Sequence, residues 1–84
     1  MKILNLTLYK KWFYLICSGH KKIEYREIKP YWIKRLIGRK YDFVLFRNGY
    51  ARNSPKVLVK YIGLIYTQFE GKKVFGLILG DIQK

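Results

Sequence analysis

Negative charge is what this sequence has least of. Five Asp and Glu stand against 18 Lys and Arg, which leaves a formal net charge of +13 over 84 residues. A field of that sign draws polyanions and speeds their encounter, and it says nothing about the fold. Nucleic acid, RNA or DNA, heads the candidate partners, with an acidic protein as a further choice. Cysteine is nearly missing too. Cys17 alone cannot close an intramolecular disulfide, and one Cys with one His, His20, does not make a structural zinc site. No metal and no cofactor is expected. Cys17 lies in an apolar helical stretch and reads as a small core residue.

Long apolar runs are also lacking. The run from Ile3 to Leu8 is short, is broken by Asn5 and Thr7, and has no secretory cleavage region after it. No segment approaches a membrane span, so no membrane partner is expected and a cytoplasmic location is the default. There is no basic tail. The cations are spread from Lys10-Lys11 to Lys72-Lys73, so a cationic surface has to be assembled by folding. Repeats, linkers and low-complexity segments are absent, and 84 residues suffice for one small domain, 1–84, expected to be monomeric.

What the chain does have is large apolar side chains. Half of it is hydrophobic and 18% is aromatic, enough for a core in a small domain, with some Tyr rings left at the surface. Leu4, Leu6 and Leu8 alternate with polar residues as in a half-buried strand. Tyr9, Trp12, Phe13 and Ile16 follow helical spacing and predict one apolar face, ended by Ser18-Gly19. A second strand is predicted over 22–28, with Ile23 and Tyr25 on the face opposite Glu24 and Arg26. Pro30 opens a short helix with Ile33, Leu36 and Ile37 on its apolar side, and Gly38 closes it. Tyr41 to Phe46 reads as a central strand buried on both faces, and 47–55 as a loop. Lys56 to Thr67 predicts a strand with a bulge or bend at Gly63. Glu70-Gly71 marks a hairpin turn before a last strand over 73–79. The order predicts an α+β fold, a compact barrel-like sheet of about five mostly antiparallel strands with two short helices.

The most informative segment is Gly19-His20-Lys21-Lys22-Ile23-Glu24-Tyr25-Arg26. It places one of the few carboxylates between cations. On a strand Glu24 and Arg26 share a face, roughly 6.5 to 7 Å apart, whereas Lys21 has the opposite parity and joins them only through an irregular turn after Gly19. Taken alone, this is also what a charged strand face with one exposed ion pair looks like, worth at most about 1 kcal/mol.

The pattern G-x-K-x-x-E-x-R in that segment resembles the hallmark of the ASCH family, a branch of the PUA-like superfamily. Its surroundings are similar to short, phage-type members: Leu6-Thr7-Leu8 before the helix, Lys29-Pro30-Tyr31-Trp32 after the motif, Arg47-Asn48-Gly49-Tyr50 after the third strand, and Gly80-Asp81-Ile82 at the end. The resemblance spans nearly the whole chain. It implies a small PUA-like β-barrel and an RNA-binding cleft near the motif. Some members of the family are described as ribonucleases and others as amidohydrolases of acetylated cytidine nucleosides. The amidohydrolase type uses a Lys, a Thr and a Glu. Lys21 matches its Lys, but Glu24 stands where that type carries Thr, and the chain has no room for the insertion that carries the remaining Glu.

The expected RNA-binding residues are Lys21, Glu24, Arg26, Arg47, Asn48 and Tyr50, with Arg52 as a further cation. Arg forks and the movable Lys ammonium suit phosphates. Tyr25, Tyr50 or Trp32 suits base stacking, and Asn48 a base edge. Asn48-Gly49 is equally good turn chemistry. His20 has no evident partner in sequence. Tyr9, Trp12 and Phe13 are assigned to the core. Three classes of function remain open. One is an RNA-binding module that holds single-stranded or modified RNA. Another is a small enzyme acting on RNA or nucleosides with Lys21 as base or nucleophile and Glu24 as its partner. The third is a basic adaptor or inhibitor of an acidic protein.

Overall fold

The alternating leucines form β1 (Ile3–Leu8), with Leu4, Leu6 and Leu8 all buried. A computed structural model describes residues 1–83. Helix α1 (Lys10–Cys17) follows and buries Phe13 and Ile16. Two turns are too short to persist alone in water, so those two side chains hold the helix on the sheet. The predicted apolar face is narrower than its spacing implied. Tyr9 is the N-cap and is 83% exposed, and Trp12 is 36% exposed. Cys17 is exposed as well, at the last helical residue, and is not a core residue.

Strand β2 (Ile23–Glu27) is followed by α2 (Pro30–Leu36), with Pro30 in its first turn and Lys34 and Arg35 in its last turn, where cations complement the helix dipole. The inner side of α2 is Leu36, with Trp32 packed against the core; Ile33 and Ile37, expected there, are exposed. Strand β3 (Phe43–Asn48) runs later than the predicted 41–46, because Arg47 and Asn48 stay in register with Thr7 and Leu8 of β1. Val44 and Phe46 are fully buried, whereas Phe43 and Leu45 on the other face are only half-buried. Strands β4 (Lys56–Phe69) and β5 (Lys72–Ile82) form a long hairpin across Glu70-Gly71 and extend beyond the predicted 56–67 and 73–79.

The five strands make one mixed sheet in the order β1-β3-β4-β5-β2, parallel between β1 and β3 and antiparallel elsewhere. Register shifts between Val59 and Tyr61, and between Tyr61 and Gly63, interrupt β4 where a bend was expected. Such irregularities increase twist and curl a sheet. The curl brings β2, at one edge, toward β1, at the other, without joining them, so the sheet stays open. The core fills its inner face, from Leu4 and Leu6 through Val44, Phe46 and Val59 to Phe75 and Leu77.

Candidate functional site

The seam between the two edge strands is where the motif residues meet. Gly19, with φ of 80°, ends α1 in a paired arrangement: its N–H donates to the Ile16 carbonyl, and the His20 N–H donates to that of Leu15. The Lys21 N–H donates to the same Leu15 carbonyl, at 3.1 Å. This is the irregular turn that Lys21 needed. Its ammonium lies 3.5 Å from Glu24 Oε1. Arg26 Nη2 lies 2.6 Å from Glu24 Oε2, so one carboxylate holds both cations.

Glu24 and Arg26 share a face, as expected, but it is the inner one. They sit opposite Leu77 and Phe75, which are fully buried, and Ile23 and Tyr25 turn outward. An edge strand explains the inversion: its inner face meets the seam as well as the core, so ions can occupy it. Glu24 is 6% exposed, and its charge is compensated by partners that keep some solvent contact, with the Lys21 side chain at 13% and that of Arg26 at 18%. Arg26 also spans the seam. Its Nη2 reaches the Thr7 carbonyl of β1 at 3.5 Å, and its guanidinium carbon lies 4.9 Å from the centre of the Trp32 ring. Its buried Nε has no hydrogen-bond partner among the described residues.

Two adjacent cavities lie along this seam and share Trp12, Glu24, Tyr25 and Arg26. One, of about 320 Å³, continues past Lys21 to Glu27, Phe69, Glu70, Lys72 and Val74. The other, of about 530 Å³, continues past Thr7 and Leu8 to Tyr9, Lys10 and the Asn48-Gly49-Tyr50 turn. Together they form a groove across the open side of the sheet. Its aromatic content is high: the Lys21 ammonium is 5.1 Å from the ring centres of both Trp12 and Tyr25, and Tyr25 stacks on Phe69 at 4.5 Å.

Of the residues expected at the site, Lys21, Glu24, Arg26, Asn48 and Tyr50 line this groove, and Arg47 and Arg52 do not. Arg47 folds back on its own loop, with Nη2 reaching the Ala51 carbonyl at 3.5 Å and a buried Nε that has no partner among the described residues. Gly49, at φ of 98°, serves the turn, and Ser54 is buried with its hydroxyl donating to the Ala51 carbonyl. Trp32 lies beside Arg26 instead of facing the groove. His20 does have a partner, with Nδ1 2.7 Å from Ser18 Oγ, on the exposed surface.

Trp12, Tyr9, Lys10 and Phe69 are groove residues that sequence reasoning missed. The available sign was size and company: a Trp is seldom fully buried, and this one follows two lysines on a two-turn helix. Among the described residues no group of His, Cys, Asp and Glu could hold a metal ion, and no helix is long and apolar enough to cross a membrane. No protein-family model, no curated protein and no solved structure matches this chain.

Proposed function

We propose that this chain is an RNA-binding domain of the ASCH type, a PUA-like barrel left open at one seam, and that single-stranded or modified RNA lies in the groove along that seam. The observation that carries this reading is the Lys21–Glu24–Arg26 constellation, set beside Trp12 and Tyr25 in a groove of a strongly cationic chain. Unpaired bases can stack on exposed aromatics, each contributing about 1–3 kcal/mol, whereas a duplex hides its base faces. The cations Lys10, Lys21, Arg26 and Lys72 line the same groove and can meet the backbone.

Binding to single-stranded RNA, duplex RNA and duplex DNA at several salt concentrations tests this. Unpaired RNA should be preferred. At about 0.7 per phosphate, four cations give a log–log salt slope no steeper than about −2.8. A flat salt response, or equal binding to heparin, would point to the adaptor class instead. Lys21 is engaged by a carboxylate and two rings, which is the setting of a held cation and favours binding over turnover. Lys21→Ala should therefore weaken RNA binding. Cleavage of RNA or acetylcytidine that the same substitution abolishes would make the protein an enzyme.

A further inference from the structure

The smaller cavity has no net positive charge, in a chain that is otherwise strongly cationic. The chain holds only five carboxylates, yet Glu24, Glu27 and Glu70 all line this one cavity, against three cations, Lys21, Arg26 and Lys72. Both oxygens of Glu24 are committed to Lys21 and Arg26. Glu27 and Glu70 are exposed and, among the described residues, neither forms an ion pair despite the surplus of cations. They are exposed acceptors at the rim of a cavity walled by Trp12, Tyr25 and Phe69. The cavity draws on both faces of β2, Glu24 and Arg26 on one and Tyr25 and Glu27 on the other, so it wraps the free edge of that strand. At about 320 Å³ it stands at the small end of ligand sites, which run from about 300 to 1,000 Å³.

We propose that this cavity is a nucleobase pocket selective for cytosine or adenine, whose exocyclic amino group stands where uracil carries a carbonyl oxygen, over uracil. The proposal rests on the RNA reading above and assigns the two ends of the groove different parts of a nucleotide. Trp12 supplies a partly open ring for stacking. The carboxylates of Glu27 and Glu70 accept N–H bonds from the amino group, the pairing by which Glu and Asp read cytosine. Uracil presents a carbonyl oxygen at the same place, so a carboxylate repels it. The same carboxylates offset the cations around the base, so phosphate is favoured along the rest of the groove, above all at the larger cavity, where Lys10, Asn48 and Tyr50 lie and Glu24 is the one carboxylate among the described residues.

The test compares cytidine, adenosine and uridine, followed through the Trp12 indole and Tyr25 ring by NMR, with tetranucleotides of C and of U measured by affinity. Cytosine should bind at least about fivefold more tightly than uracil, the low end of what one well-placed base contact discriminates. The double variant Glu27→Gln/Glu70→Gln should bring the ratio close to one, and Asp81→Asn, a single loss of negative charge outside the cavity, should leave it intact. Equal affinity for the two tetranucleotides, or selectivity that survives in the double variant, overturns the pocket while the RNA reading stands. Tetranucleotides that fail to bind, with cytidine still shifting Trp12 selectively, overturn the RNA reading and keep the pocket. If neither nucleosides nor tetranucleotides bind, both fall.

Discussion

Replacing Arg26 by Met removes the guanidinium but keeps an unbranched side chain of similar length in the seam, so the loss can be assigned to charge. The Arg26–Glu24 contact, at 2.6 Å with a carboxylate that is almost fully buried, is a charge-assisted hydrogen bond worth about 1.5–3 kcal/mol. The interaction with the Trp32 ring adds about 0.5–1 kcal/mol. The 3.5 Å approach to the Thr7 carbonyl is too long to contribute much. Lys21 remains beside Glu24, so the carboxylate is not wholly abandoned and the loss stays below that of an isolated buried ion. The expected destabilisation is about 3 kcal/mol, which for a domain of this size lowers Tm by roughly 12–24 °C. Urea unfolding followed by far-UV circular dichroism measures it without relying on Trp32, whose surroundings change. Introducing Glu24→Leu into the Arg26→Met background should recover part of the loss, because the uncompensated carboxylate is gone. A cost for Arg26→Met under about 0.5 kcal/mol, or a double-mutant cycle additive within about 0.5 kcal/mol, would refute the view that these two groups hold each other in the seam.

Gly19→Ala should cost about 1–2 kcal/mol from backbone strain alone, since its φ of 80° disfavours a side chain while nothing lies within 4 Å of the added carbon; loss of Lys21-dependent RNA binding in the same variant, by titration, would tie the turn to the site. Glu24→Gln should lower stability yet steepen the salt dependence of RNA binding by up to about 1.4, as Lys21 and Arg26 become free to neutralise two phosphates, and an unchanged slope would remove both from the interface. Burial first, and the neighbouring Tyr41 phenol second, push the Tyr61 phenol up from its ordinary value of 10.0. The unfolded chain then releases that proton at lower pH than the folded one, so the contribution to stability is whole below about pH 10 and is lost as pH rises through the folded value. Urea midpoints between pH 9 and 11 should fall less steeply for Tyr61→Phe than for the unaltered chain, and equal slopes would count against this account.

The order of elements was legible because its punctuation is local. Gly19 and Gly38 both take positive φ after their helices, Glu70-Gly71 turns the hairpin, and period two or helical spacing fills the segments between. The arrangement of strands was not legible to the same degree. Nothing within residues 22–28 says that their strand lies at a sheet edge, and only that position lets Glu24 and Arg26 face inward while Tyr25 faces out. The same missing information ended the predicted β3 two residues early, since Arg47 and Asn48 owe their extended conformation to pairing with Thr7, Leu8 and Lys56. Helical spacing is also blind to how wide a helix's contact is. Phe13 and Ile16 alone seat α1, which leaves Trp12 at the rim of the groove and Tyr9 in solvent. At the site, parity put Glu24 and Arg26 on one face, whereas Lys21 was brought to them only by the family resemblance and an irregular turn that parity does not give; Phe69 reaches Tyr25 from the far end of β4, a contact that no local pattern encodes.

An open seam carries a hazard as well as a use. The edges of β1 and β2 that no strand covers present unpaired N–H and C=O groups, which invite pairing with another chain. Here β2 is only five residues long and carries Glu24, Arg26 and Glu27, the short charged design that blunts such pairing. The net charge of +13 adds repulsion between copies. Cations that would draw a polyanion toward the groove are thus the same ones that repel a second copy. Had β1 and β2 closed the sheet by backbone pairing, Glu24 would face a sealed interior, where a carboxylate and its two cations are costly to desolvate. Bridging the edges by the Arg26 side chain instead leaves the ions near solvent, and with them the Trp12 and Tyr25 rings that an unpaired base would need.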